Sequence, residues 1–189
     1  MVVLAILIVF ALVMVIWRLA SRREKLPCPA WLGKLVERDN PFAKANKAAF
    51  IVEALALTPG MTVLDAGCGV GRVTLPLARA VGPAGRVVAL DLQSRMLERV
   101  REKTSAAGLA NVEFLQAALG ENPDRAAALA ELVAALKPGG ILAIAELVFD
   151  PHFQTRPAVT RLALAAGLRE RAFHGRSLAY LMLFERHEP

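Results

Sequence analysis

The chain has 189 residues, 56% of them apolar and 21% charged, with a net charge of +6. That length suits one domain with a substantial core and a short appendage. Its two cysteines, Cys28 between prolines and Cys68 in a glycine-rich turn, exclude a disulfide framework and predict no metal site. The basic excess gathers beside an apolar N-terminus, and no basic stripe interleaved with aromatics points to nucleic acid.

Met1 to Trp17 contains no charged or strongly polar side chain, and Leu19 and Ala20 extend the run past Arg18. About twenty residues at roughly 1.5 Å each reach about 30 Å, one bilayer core. Arg22, Arg23 and Lys25 follow at once, so the positive-inside rule places the remainder of the chain in the cytoplasm. A cleaved signal peptide competes but lacks its basic leading region, and a buried core helix competes but would show polar residues on its circumference. The expectation is a single-pass transmembrane helix over 1–20, a basic, proline-broken linker over 21–38, and one domain over 39–189.

Within that domain, Asp39-Asn40-Pro41 predicts a helix start, with Phe42, Ala45, Ala49, Val52 and Leu55 or Ala56 on one apolar face. Thr58-Pro59-Gly60 predicts its end. Residues 63–72 (VLDAGCGVGR) read as a strand entering a glycine turn, followed by a helix to Val81. A turn at Gly82-Pro83-Ala84-Gly85 leads to a strand over 86–92, and Ser94 is the expected cap of a helix bearing Met96, Leu97 and Val100. Val112, Phe114 and Leu115 mark a third strand. Asn122-Pro123-Asp124 opens a helix that stops at Lys137-Pro138-Gly139-Gly140. The apolar run ILAIAELVF then reads as a central parallel strand. A helix over 155–166 and two short strands joined by His174-Gly175-Arg176-Ser177 complete the chain. Alternating units of this kind predict an α/β fold, a doubly wound and mostly parallel sheet with an antiparallel last strand.

The glycine turn discriminates between cofactors. A dinucleotide turn needs glycine at its first, third and sixth positions, whereas here Gly67, Gly69 and Gly71 alternate and Arg72 takes the sixth. Asp91 closes the second strand twenty positions past Gly71. A carboxylate there is fit to accept two hydrogen bonds from a vicinal diol, and glycines let backbone close on a ligand. This arrangement resembles motif I of the class I S-adenosylmethionine-dependent methyltransferases, a resemblance covering about Phe42 to about Arg186. It implies a Rossmann-like methyltransferase fold that binds S-adenosylmethionine. Asp65 would lie near the cofactor's amino group, Gly67, Cys68, Gly69 and Gly71 would wrap its amino-acid and ribose portions, and Asp91 with Leu92 would meet the ribose end.

The chain departs from that family between Leu119 and Asn122, where a helix, a strand and a loop are missing. One unit of roughly 30 residues is absent. The family's acidic residue after the third strand is replaced by Gln116-Ala117-Ala118, with Glu121 the nearest substitute. Closing the sheet without that strand requires the Ile141 strand to slide over and pair with Val63 and Leu64. A compact working variant, a degenerate cofactor binder and a sequence that has lost an internal segment all fit this pattern.

Methyl transfer from a sulfonium is an in-line displacement, so a base is needed only where the acceptor loses a proton. Ligands gather beyond the carboxyl ends of parallel strands, which singles out Glu146, Asp150 and His152 after the Ile141 strand. His152 and Asp150 are the candidate catalytic residues, His152 as a base titrating near neutral pH or else a solvated loop residue. Tyr180 is expected to pack in the core. The expected function is methyl transfer to a small or lipid-like acceptor by a membrane-held enzyme with its domain in the cytoplasm. The alternative is a catalytically degenerate S-adenosylmethionine binder.

Overall fold

A computed structural model describes residues 39–117, 124–148, 150 and 152–187, together with scattered helical positions between 4 and 20. Among the described residues no helix is long and apolar enough to cross a membrane. This overturns the expected transmembrane helix over 1–20, and with it the single-pass placement. The physical reason is length. A crossing needs about 20 residues in one apolar helix, and the longest helix among the described residues, Ser94–Ala106, has 13. The linker over 21–38 lies outside the described residues.

A 3-10 turn at Lys44–Asn46 precedes helix α1 (Ala48–Leu55), which stops where Ala56 enters the left-handed region at φ 48°. Strand β1 (Thr62–Ala66) leads through the glycine turn into α2 (Thr74–Val81). Strand β2 (Arg86–Asp91), helix α3 (Ser94–Ala106) and strand β3 (Val112–Gln116) follow. Gln93, not the expected Ser94, occupies the N-cap position of α3 without a side-chain cap bond, and its own N–H donates to Asp91 Oδ1 at 2.9 Å. Helix α4 (Arg125–Ala135) is capped by Asp124, whose carboxylate accepts from the N–H of Ala126. Then come β4 (Ile141–Leu147), α5 (Arg156–Ala165), β5 (Leu168–Arg176) and β6 (Ala179–Arg186).

The strands do not form one sheet. β1, β2 and β3 pair in that order, all parallel, while β4, β6 and β5 form a second sheet of antiparallel pairs. The Ile141 strand has therefore not slid across to Val63 and Leu64. Its neighbour is β6, from Ile141 opposite Glu185 to Leu147 opposite Ala179. What joins the halves is the α1 segment. Ala45 and Ile51 pack on Leu181 and Leu183 of β6, and Leu55 and Val73 touch both this cluster and the core of the first sheet.

Among the described residues no strand pairs with the second edge of β1 or of β4. Gly67 N–H donates to Leu90 and Arg86 N–H to Met61, so the alternate residues Val63 and Asp65 face β2. Thr62, Leu64 and Ala66 consequently turn their backbone groups away from it. By the same alternation, with Arg186 donating to Gly140 and Val148 to Leu178, Ile141, Ala143 and Ala145 face away from β6. The first sheet is also covered unevenly. Leu77, Ala78, Val81, Leu97 and Val100 of α2 and α3 bury Val87, Ala89 and Val112. Leu64 and Leu115, on the opposite face, remain 38% and 47% exposed, where a fully wrapped parallel sheet would bury both faces. Amide exchange tests this arrangement. The N–H groups of Leu64, Ala66, Ala143 and Ala145 should exchange well ahead of those of Val63, Asp65 and Ile144, and equal protection would mean the edges are paired.

Candidate active site

The glycine turn is held by its neighbours before any ligand arrives. Gly67 and Cys68 both donate their N–H to the carbonyl of Leu90, at 2.8 and 2.9 Å. Gly69 N–H donates to Asp91 Oδ2 at 2.9 Å. The three glycines sit at φ 77°, 52° and 81°, a region that side-chain-bearing residues seldom enter. They do different work. A Cβ on Gly67 or Gly69 would meet nothing within 4 Å, so both face open space, whereas one on Gly71 would press on Leu75 and Val100 at 3.1 Å. Gly71 thus lets α3 approach the turn.

Asp91 is 9% exposed and each of its oxygens already accepts one backbone N–H. A carboxylate has about four acceptor sites, so about two remain for a diol. Asp65 accepts from the Thr74 hydroxyl at 2.6 Å. Burial raises its carboxyl above the usual range, the Thr74 bond and the Arg72 charge oppose that, and the Asp91 charge adds to it. Cys68 is buried, and burial, with Asp65 and Asp91 nearby, pushes its thiol up to about 12, which makes it no nucleophile at neutral pH. Leu92, directly after Asp91, stands 53% exposed.

A second group of side chains lies where β4 ends. Asp150 Oδ1 accepts from the N–H of His152 at 2.7 Å, and Arg125 at the start of α4 donates to the His152 carbonyl at 2.9 Å. Glu146 Oε2 accepts from the N–H of Gln154 at 3.0 Å, and the buried Tyr180 donates its hydroxyl to the Gln154 carbonyl at 2.7 Å. The Glu146 carboxyl is pushed from 4.5 up to about 7, mainly by burial. Asp150 reinforces the rise, while the Gln154 bond and the Arg125 charge oppose it. Tyr180, pairing with Glu146 across the ladder, is itself raised to about 12 by burial and by that carboxylate.

The residues that the resemblance assigns to a cofactor lie together at the ends of β1 and β2. Sequence reasoning also places Asp150 and His152 on one loop, where they are found. It missed Asn46. This residue joins the two groups, donating its Nδ2 to the Glu146 carbonyl at 3.0 Å while its own carbonyl accepts from Arg72 at 2.7 Å. Arg72 is anchored in turn by Asp39 at 2.6 Å. Nothing local in the sequence signals a contact between positions 46 and 146.

The raised Glu146 value has a consequence for stability. The folded state holds this proton up to about pH 7, while the unfolded chain releases it near 4.5. Between those values the folded state binds more protons, so this group's contribution to stability falls as pH rises through the window. Thermal unfolding at pH 5 and pH 8 should show that loss in the wild type and a smaller one in Glu146→Gln; equal losses would refute it.

Residues 57–124 match a protein family described as a methyltransferase domain. A protein from a transposon of Streptomyces fradiae is 30% identical over 189 positions, covering 88% of this chain and 54% of that protein. That alignment is as long as this chain yet takes in only 88% of it, so the relative carries residues that this chain lacks. A demethylmenaquinone methyltransferase of Lactococcus lactis is 34% identical over 100 residues, covering 43% of this chain and 40% of that enzyme. The chain therefore spans about half, or less, of these relatives. Among solved structures, a SAM-dependent methyltransferase from Aquifex aeolicus superposes with a TM-score of 0.73 at 22% identity, covering 84% of this chain and 99% of that one.

Proposed function

From its membership of the class I S-adenosylmethionine-dependent methyltransferases, a family that takes S-adenosylmethionine as cofactor, we propose that this chain transfers a methyl group to a small, quinol-like acceptor. The observation that carries this reading is the turn itself. Open space above Gly67 and Gly69 leaves room for a ligand to lie against the backbone, and Asp91 keeps free lone pairs beside it. When bound, the cofactor supplies an electrophilic methyl group on a sulfonium. Gly67, Cys68 and Gly69 would line its amino-acid and ribose portions, with Gly71 holding the turn against α3. Asp91 would accept from the ribose hydroxyls, and Leu92 would offer an apolar surface beside them. Asp65, tied to Thr74, would fix the turn and add negative potential near the cofactor's ammonium. Asp150 and His152, on the loop leaving β4, would meet the acceptor.

The second edges of β1 and β4, without a strand partner among the described residues, favour a second reading, a cofactor binder that does not turn over. Titration calorimetry with S-adenosylmethionine and with NAD separates the first question. Binding of the former alone is expected, and its failure would sink both readings. Labelled methyl transfer from S-adenosylmethionine to reduced demethylmenaquinone then distinguishes the enzyme from the binder.

A further inference from the structure

Resting on the methyltransferase reading, we propose that Glu146 is the general base that takes the proton lost by the methyl acceptor, which makes the acceptor a hydroxylic or enolic compound. Three observations place it there. Glu146 stands one residue before the carboxyl end of β4, and Asn46 ties its carbonyl to Arg72, directly after the glycine turn. The backbone of Glu146 is thereby tied, through Asn46, to the residue that follows the glycine turn. Its two oxygens are also unequal. Oε2 is fixed by the Gln154 N–H, whereas no group among the described residues donates to Oε1. Lastly, Asn46 is 9% exposed and its Oδ1 has no partner. The Glu146 carbonyl only accepts, so the amide nitrogen must face it, and the unpaired atom is truly an acceptor. Buried polar atoms left single mark sites that a ligand or ordered water completes. An acceptor with an O–H donor suits Oε1, and the Asn46 oxygen leaves a second unpaired acceptor atom on the residue that ties Glu146 to the turn.

The step balances without a further reactant. The acceptor's bond to the methyl carbon forms, the sulfur–methyl bond breaks with its electron pair left on sulfur, and the acceptor's proton passes to Glu146 Oε1. Glu146 then returns that proton to water. Burial, with Asp150 opposing ionisation and Arg125 favouring it, brings the carboxyl to about 7, where it both accepts and releases a proton readily. Tyr180 faces it across the ladder and stays protonated in this range.

The test compares wild type, Glu146→Gln and Glu146→Asp, using reduced demethylmenaquinone and a phenolic probe, catechol, as acceptors. Cofactor affinity by calorimetry should stay within about threefold in both variants, since Glu146 lies outside the glycine turn. The turnover of Glu146→Gln should fall by about 100-fold or more, its acidic limb should disappear, and Glu146→Asp should recover part of the rate. Carboxyl-carbon NMR of the ligand-free protein should show one glutamate titrating near pH 7 that is missing in Glu146→Gln. Glu146→Gln with near-normal turnover and an unchanged acidic limb would overturn the proposal, as would a Glu146 resonance titrating with ordinary carboxylates. Wild type that binds the cofactor but methylates neither probe also overturns it. Failure to bind the cofactor at all instead overturns the function proposed above.

Discussion

Asp91→Ala should lower affinity for S-adenosylmethionine by at least about 100-fold, with the chain still folded. Two charge-assisted hydrogen bonds to a ribose diol contribute about 1.5–3 kcal/mol each, and about 1.4 kcal/mol is a factor of ten. The loss does not stop at the ligand. Asp91 holds Gly69 N–H and Gln93 N–H, both at 2.9 Å, so truncation orphans two donors and loosens the turn and the start of α3 together. Each orphaned donor costs about 1–3 kcal/mol, a large fraction of a typical domain's stability of about 5–15 kcal/mol. Calorimetry for affinity and far-ultraviolet circular dichroism for folding separate the two effects. Asp91→Asn should fall between, since one oxygen still accepts while its amide opposes another donor. If Asp91→Ala binds S-adenosylmethionine within about threefold of wild type, the ribose role assigned to this carboxylate is wrong.

The second large effect concerns the hairpin that carries the acceptor side. Gly175→Ala should destabilise the protein by about 3–5 kcal/mol, combining left-handed strain with overpacking. Gly175 sits at φ 109°, and a Cβ there would drive into the Ala179 carbonyl oxygen and come within 2.9 Å of Tyr180 Cα. Both obstacles are backbone of the partner strand β6 and cannot rotate aside. Gly108→Ala is the informative comparison, because its φ is 67° but nothing lies within 4 Å of the new Cβ. That variant should lose only about 1 kcal/mol. At about 2–4 °C of melting temperature per kcal/mol for a chain of this size, the two variants should differ by roughly 10 °C. Similar melting temperatures would show that the hairpin relaxes more than its geometry suggests. Because β6 is the strand that pairs β4, the damage should reach Glu146, and the carboxyl titration near pH 7 should broaden or shift in Gly175→Ala.

The glycine turn and the carboxylate beside it, proposed for the cofactor, were legible together because their grammar is local. Alternating glycines after a β-favouring run, and an acidic residue closing the next strand, report one turn and its neighbour within about thirty residues. Even there, the sequence treated the three glycines alike, whereas the Cβ contacts separate Gly71, which α3 crowds, from Gly67 and Gly69, which open outward. The acceptor half was less legible. Glu146 stood among the candidates by its place after a strand, but its single free oxygen depends on Gln154, and its tie to the turn depends on Asn46, 100 positions away. The uninterrupted apolar run at the N-terminus misled in another way. A run without charges has the length of a crossing, yet among the described residues no helix of that length is found.

By itself, then, the sequence carried the resemblance to methyltransferases, with the cofactor that resemblance implies, and the strand–helix order, since each rests on residues close together in the chain. Set beside the family it resembles, it also led to the expectation that a unit of roughly 30 residues is absent from the middle. Only the tertiary structure decided what happens around that omission. β4 pairs with β6 on one edge, over seven residue pairs from Ile141–Glu185 to Leu147–Ala179, its other edge has no strand partner among the described residues, and the α1 segment bridges the two sheets by packing on β6. Each strand edge can be satisfied by one partner alone, and which partner wins is a property of the whole packed chain rather than of any segment of it.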